Sequence, residues 1–96
     1  MGRGHYRWKD GRKMRGDIDR ARAVRKLRRR ADQIASLIVA SDYPAIDIVI
    51  EIRKLREYVD RKMPEKTRLF EMVYESRFRR LWRQFREERE GPLPEW

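Results

Sequence analysis

Arg22, Arg25, Lys26 and Arg29 stand at offsets of zero, three, four and seven, the spacing that brings side chains to one face of an α-helix. At a rise of about 1.5 Å per residue the four cover roughly 10 Å of helix. Like charges stacked this closely repel by a few tenths of a kcal/mol per pair, and either phosphates or the acidic side chains of a partner would relieve the repulsion. Neutralising about four phosphates on duplex DNA would give a log–log salt slope of roughly −4. A solvated helix face is the plainer account of the same residues.

A second basic group precedes the first. Arg3, Arg7, Lys9, Arg12 and Lys13 interleave with His5, Tyr6 and Trp8 in a glycine-rich opening stretch. Aromatic rings beside arginines can stack on unpaired bases, at roughly 1–3 kcal/mol per base. Arms of this composition also enter grooves or fold on RNA. The predicted nucleic-acid contacts are therefore Arg3, Arg7, Trp8, Lys9, Arg12 and Lys13 in the arm, with Arg22, Arg25, Lys26 and Arg29 on the stripe. A third stripe, Arg79, Arg83 and Arg86, falls near the end of the last helix, where cations complement the negative end of the helix dipole.

Asp47 and Glu51 are the one pair with the look of paired carboxylates, a turn apart among isoleucines and valine. Such a pair can do acid–base work or hold a divalent ion. Arg77, however, interrupts the apolar face of the last helix, and folding that helix back about Met63-Pro64 sets it level with about residue 50. An Asp47/Glu51/Arg77 structural ion pair accounts for all three, because an unpaired charge against a core is costly. The chain has no cysteine and one histidine, which removes disulfides, thiolate metal sites and most imidazole chemistry. No catalytic constellation, metal site or cofactor site is expected.

The formal charge of +10 is not spread evenly. Residues 1–30 contain thirteen Lys and Arg against Asp10, Asp17 and Asp19, and the remaining bases and acids cancel. A basic arm on a balanced body suits a polyanionic partner, either nucleic acid (DNA or RNA) or an acidic protein docked by a helical adaptor. Arginine outnumbers lysine 20 to 6 and asparagine is absent. Arginine's planar fork fits phosphate and carboxylate, although a GC-rich genome or a hot habitat gives the same bias.

Three helices are predicted to position these groups. The first, about residues 17–41, is capped by Asp17 and carries the seam Val24, Leu27, Ala31, Ile34, Ile38. Asp42-Tyr43-Pro44 is turn chemistry, and Pro44 suits the first turn of a second helix over 44–62 with the seam Ala45, Ile48, Ile52, Leu55, Val59. Met63-Pro64 breaks the chain again before a third helix over 64–89, whose broad apolar face runs Phe70, Val73, Tyr74, Phe78, Leu81, Trp82, Phe85. Facing positions that sum to 86 pair Ile38 with Ile48, Ile34 with Ile52, Ala31 with Leu55 and Leu27 with Val59, every pair apolar. The expected fold is all-α, a small antiparallel three-helix (up-down-up) bundle.

A length of 96 residues allows one core. The expected organisation is a mobile basic arm over 1–16, a single helical domain over 17–90 and a Pro-rich tail over 91–96 that ends in an unexplained Trp96. The arm lacks the apolar run of a secretory signal, and the window Ile34–Ile50 is too interrupted to span a membrane, so a cytoplasmic protein is expected. Ile46 and Ile50, with Leu69 and Met72, fall outside their own seams. Leftover apolar strips of this kind suggest a homodimer.

Overall fold

A computed structural model describes residues 2–96, with side chains described from Gly16 onward. The side-chain roles expected of Arg3, Arg7, Trp8, Lys9, Arg12 and Lys13, and the expected mobility of the arm, lie outside the described residues. The elements in chain order are α1 (Gly2–Ala40), α2 (Ala45–Lys62), a 3₁₀ turn (Pro64–Lys66), α3 (Thr67–Leu69), a π-helical turn (Phe70–Glu75), α4 (Ser76–Phe85) and α5 (Glu87–Glu90). Among the described residues there is no strand, and the chain is all-α.

Helix α1 does not begin at Asp17, as its capping chemistry suggests, but runs through it. Arg, Lys and Met between the glycines are good helix formers, each glycine costs only about 1 kcal/mol, and no proline stands in the way. The helix stops where expected. The Ser41 hydroxyl donates to the Leu37 carbonyl at 2.6 Å and accepts from the Tyr43 N–H at 3.2 Å, so one side chain both occupies a terminal carbonyl and shapes the turn. Pro44 sits just outside α2, and its carbonyl accepts from the N–H groups of Asp47 and Ile48, both at 3.0 Å.

The eight seam residues paired by the sequence register are all buried in one cluster. Ala23 and Met63, which extend the same register by one turn, join them. Small Ala31 opposite Leu55 lets the two helices approach closely, and every apolar residue removed from water adds roughly 1.5–3 kcal/mol for the larger side chains. At the far end α1 outruns its partner: Gly16–Arg22 are exposed throughout.

Beyond Met63 the structure departs from the expected single helix over 64–89. Proline at 64 disfavours helical geometry at the residue before it, and Met63 leaves the helix with φ −143° and ψ 60°. The limb then passes through 3₁₀, α, π and α geometry before Arg86, with φ −134°, interrupts it again. The π-helical turn changes which residues face inward. A five-residue step across it aligns Phe70 with Glu75, and both are buried, whereas Val73, expected in the apolar face, is exposed. From Glu75 onward α-helical spacing resumes with Phe78 and Trp82 buried, while Phe85 turns outward. The position that a continuous helix would give to Phe85 belongs to Arg86.

Candidate nucleic-acid interface

Burying Ala23, Leu27, Ala31, Ile34 and Ile38 fixes the rotation of α1. The opposite face must then carry Arg22, Arg25, Lys26 and Arg29, and all four are exposed. The ion pairs among the described residues involve none of them. Four cations therefore share a face with no carboxylate of the described residues within 4 Å to neutralise them.

Helix α2 adds to this face. Tyr58 is buried beneath three cations: Lys26 Nζ lies 4.8 Å from its ring centroid, and the guanidinium carbons of Arg30 and Arg61 lie 6.0 Å from it. An exposed cation–π contact is worth only about 0.5–1 kcal/mol, too little to hold these groups against a phosphate. A groove runs alongside, lined by Asp19, Arg22, Lys26, Arg29, Tyr58 and Lys62. On the other flank of α1, a second groove is lined by Arg25, Arg28 and Arg29 together with the acids Asp32 and Glu51 and with Tyr43.

The Asp47/Glu51/Arg77 constellation does not come together. Arg77 Nη1 stands 4.0 Å from Asp32 Oδ1 on α1, with both side chains largely in water. Glu51 meets Lys54, one turn on, at 3.7 Å. The cation of α2 that pairs with acids of the third limb is instead Arg56. It donates to Glu71 at 2.5 Å, and its other terminal nitrogen lies 3.7 Å from buried Glu75. The π-helical turn is the physical cause, since it rotates Glu71 and Glu75 toward α2 and leaves Arg77 beside α1. Among the described residues no group of three or more His, Asp or Glu is placed to hold a metal ion, and no helix is long and apolar enough to cross a membrane.

The third basic stripe also divides. Arg86 is buried, not solvated. Its Nε and Nη2 donate to the two carboxylate oxygens of Glu90 at 2.6 and 3.0 Å, Nη2 reaches the Tyr43 carbonyl at 2.6 Å, and Nη1 reaches that of Leu37 at 3.4 Å. Arg79 lies over the Trp96 ring, 4.5 Å from its centroid. Trp96 is thereby explained, because its indole N–H donates to Glu75 Oε2 at 2.5 Å and it packs against the core with Leu93. The tail turns back at Gly91, whose φ of 77° favours glycine, and the Gly91 carbonyl accepts from the Trp82 indole at 2.8 Å.

Reasoning from sequence missed Glu75, Arg86 and Arg56. The spacing of Arg86 and Glu90, one helical turn apart, was a usable signal. Nothing in the sequence, however, marks that pair apart from the many other i,i+4 charge pairs. No protein-family model, curated protein or solved structure matches the chain. Fold and surface define the class alone: an all-α chain whose longest helix presents a cationic face that no acid among the described residues pairs.

Proposed function

We propose that this chain is a non-enzymatic nucleic-acid-binding or nucleoprotein-associated module, with the α1 face of Arg22, Arg25, Lys26 and Arg29 holding phosphates. One observation carries the proposal: these cations are exposed together and unpaired among the described residues. Elsewhere in this chain inward-facing cations are matched with acids, as in Arg56 with Glu71 and Arg86 with Glu90. A face left without acids creates a local positive potential that draws a polyanion.

The scaffold is read as an up-down-up three-helix bundle in which the third limb works as one irregular helix. The reach of Arg86 to Leu37 and Tyr43 at one end supports this reading, as does the Arg56–Glu71 bond further along. A homodimer through the outward-facing Ile46, Ile50, Leu69 and Met72 belongs to the same proposal, and their exposure supports it.

Fluorescence anisotropy with duplex DNA, single-stranded DNA and RNA at two salt concentrations tests the function. Binding at about 50 mM salt that falls steeply as salt rises is expected, and Arg22→Glu with Arg25→Glu should abolish it. No binding at low salt, or binding indifferent to those substitutions, removes the nucleic-acid reading. What then remains is an adaptor that docks on an acidic protein.

A further inference from the structure

The geometry points to duplex nucleic acid, gripped by its two phosphate rows without sequence reading, as the ligand of a surface that spans both α1 and α2. The inference rests on the proposed function and deepens it.

Cations converge on this surface from two helices. Lys26 and Arg30 come from α1 and Arg61 from α2, and all three stand within 6.0 Å of the Tyr58 ring centroid. Lys62 lines the same groove as Arg22 and Lys26. Packed helices lie about 8–10 Å axis to axis, so the α1 cations and the Arg61–Lys62 pair at the end of α2 stand as two separated groups of positive charge on one surface. A duplex offers two phosphate rows bordering a groove about 6 or 12 Å wide, whereas a single strand offers one. Of the acids of α2, Glu57 and Asp60 line a separate groove with Arg53, Arg56 and Trp96 and Glu51 lines the groove on the other flank of α1, which leaves Asp19 of α1 as the acid lining this one.

Single-strand binding needs aromatic faces on which bases stack. Among the described residues Tyr58 is the aromatic residue of this surface, and its ring is buried under cations. It cannot present a face to a base without displacing them. Side chains that contact only phosphates fix position and carry no direct sequence information.

The full chain, titrated with a labelled DNA duplex, a duplex of different sequence and the corresponding single strand, decides the matter. Duplexes of different sequence should bind alike and more tightly than the single strand. Each phosphate contact contributes a log–log slope of about 0.9, so the double variant Arg61→Ala with Lys62→Ala should flatten the slope by about 1.8. Between about 50 and 200 mM salt, the variant should then lose roughly twelve-fold less affinity than the parent. Circular dichroism of the variant should match that of the parent, because both side chains are exposed. Tighter binding to the single strand, or an unchanged slope in the double variant, overturns the duplex surface while leaving α1 binding intact. Absence of any binding at low salt defeats the proposed function itself, and this inference with it.

Discussion

Replacing Arg86 tests how the end of the third limb is held to the turn between α1 and α2. The side chain is almost wholly buried, lies over Trp82 at 4.5 Å, and bonds to Glu90 and to the carbonyls of Leu37 and Tyr43. Arg86→Ala removes the Cγ and Cδ methylenes of the stem, worth about 1.6 kcal/mol at ~0.8 kcal/mol each. It also leaves the two carbonyls without a charged donor, for about 2 kcal/mol more after water partly replaces it. The expected loss is about 4 kcal/mol, a large share of the roughly 5–15 kcal/mol typical of a small domain. At about 4–8 °C per kcal/mol the melting temperature should fall by some 16–30 °C. Arg86→Met refills the volume without restoring the donors and should cost about 2 kcal/mol. Urea unfolding followed by both circular dichroism and tryptophan fluorescence gives the two values. A cost below about 1 kcal/mol for Arg86→Ala would show that the buried guanidinium is not what holds the junction. Equal costs for alanine and methionine would refute the packing half of the sum.

Two further outcomes follow from single groups. The Glu90 carboxyl is held below its ordinary value near 4.5, first by the Arg86 hydrogen bonds and then by the charges of Arg86 and Arg89, against an opposing effect of partial burial. A depressed folded value stabilises the protein fully above the unfolded value, and this contribution is lost as pH falls through the folded one. Glu90→Gln should therefore flatten the acid side of the stability profile below about pH 4.5, and superimposable acid limbs would contradict the assignment. Gly16 lies inside α1 with nothing within 4 Å of where a Cβ would stand. Gly16→Ala should favour the helix locally by about 0.5–1 kcal/mol, raising helical circular dichroism with little change in melting temperature, since Gly16–Arg22 touch no core. Unchanged ellipticity would argue against a helix continuous through this residue.

The α1–α2 hairpin was legible in the sequence because both seams keep α-helical spacing and the turn between them has few conformations open to it. Ile38 with Ile48 and Leu27 with Val59 end in one buried cluster as the register requires. The third limb was not legible, and the cause is local. A π-helical turn over Phe70–Glu75 shifts every later residue relative to an α-helical pattern, so a wheel drawn from Phe70 places Val73 and Phe85 inside when both are exposed. The same shift sent the expected partner of Arg77 astray and concealed Glu75. Composition could not tell Arg86 from Arg79 or Arg83, because its burial depends on a chain reversal at Gly91 and on carbonyls contributed by residues 37 and 43. The exposed face of α1 was easier to read, since it follows from the hydrophobic seam alone.

That contrast divides the arginines by task. On the third limb the inward-facing charges meet partners of the same chain: Arg56 meets Glu71 and Glu75, and Arg86 meets Glu90. Removing one member strands the other, and the consequence falls on folding. On α1 none of the four cations has an acidic partner among the described residues, and truncating any of them relieves repulsion rather than stranding a carboxylate. Substitutions at Arg22, Arg25, Lys26 or Arg29 should therefore act on affinity and salt dependence, while those at Arg56 and Arg86 act on stability. A protein whose α1 cations served only to solubilise it would show neither the affinity nor the salt slope, although its folding would respond in the same way.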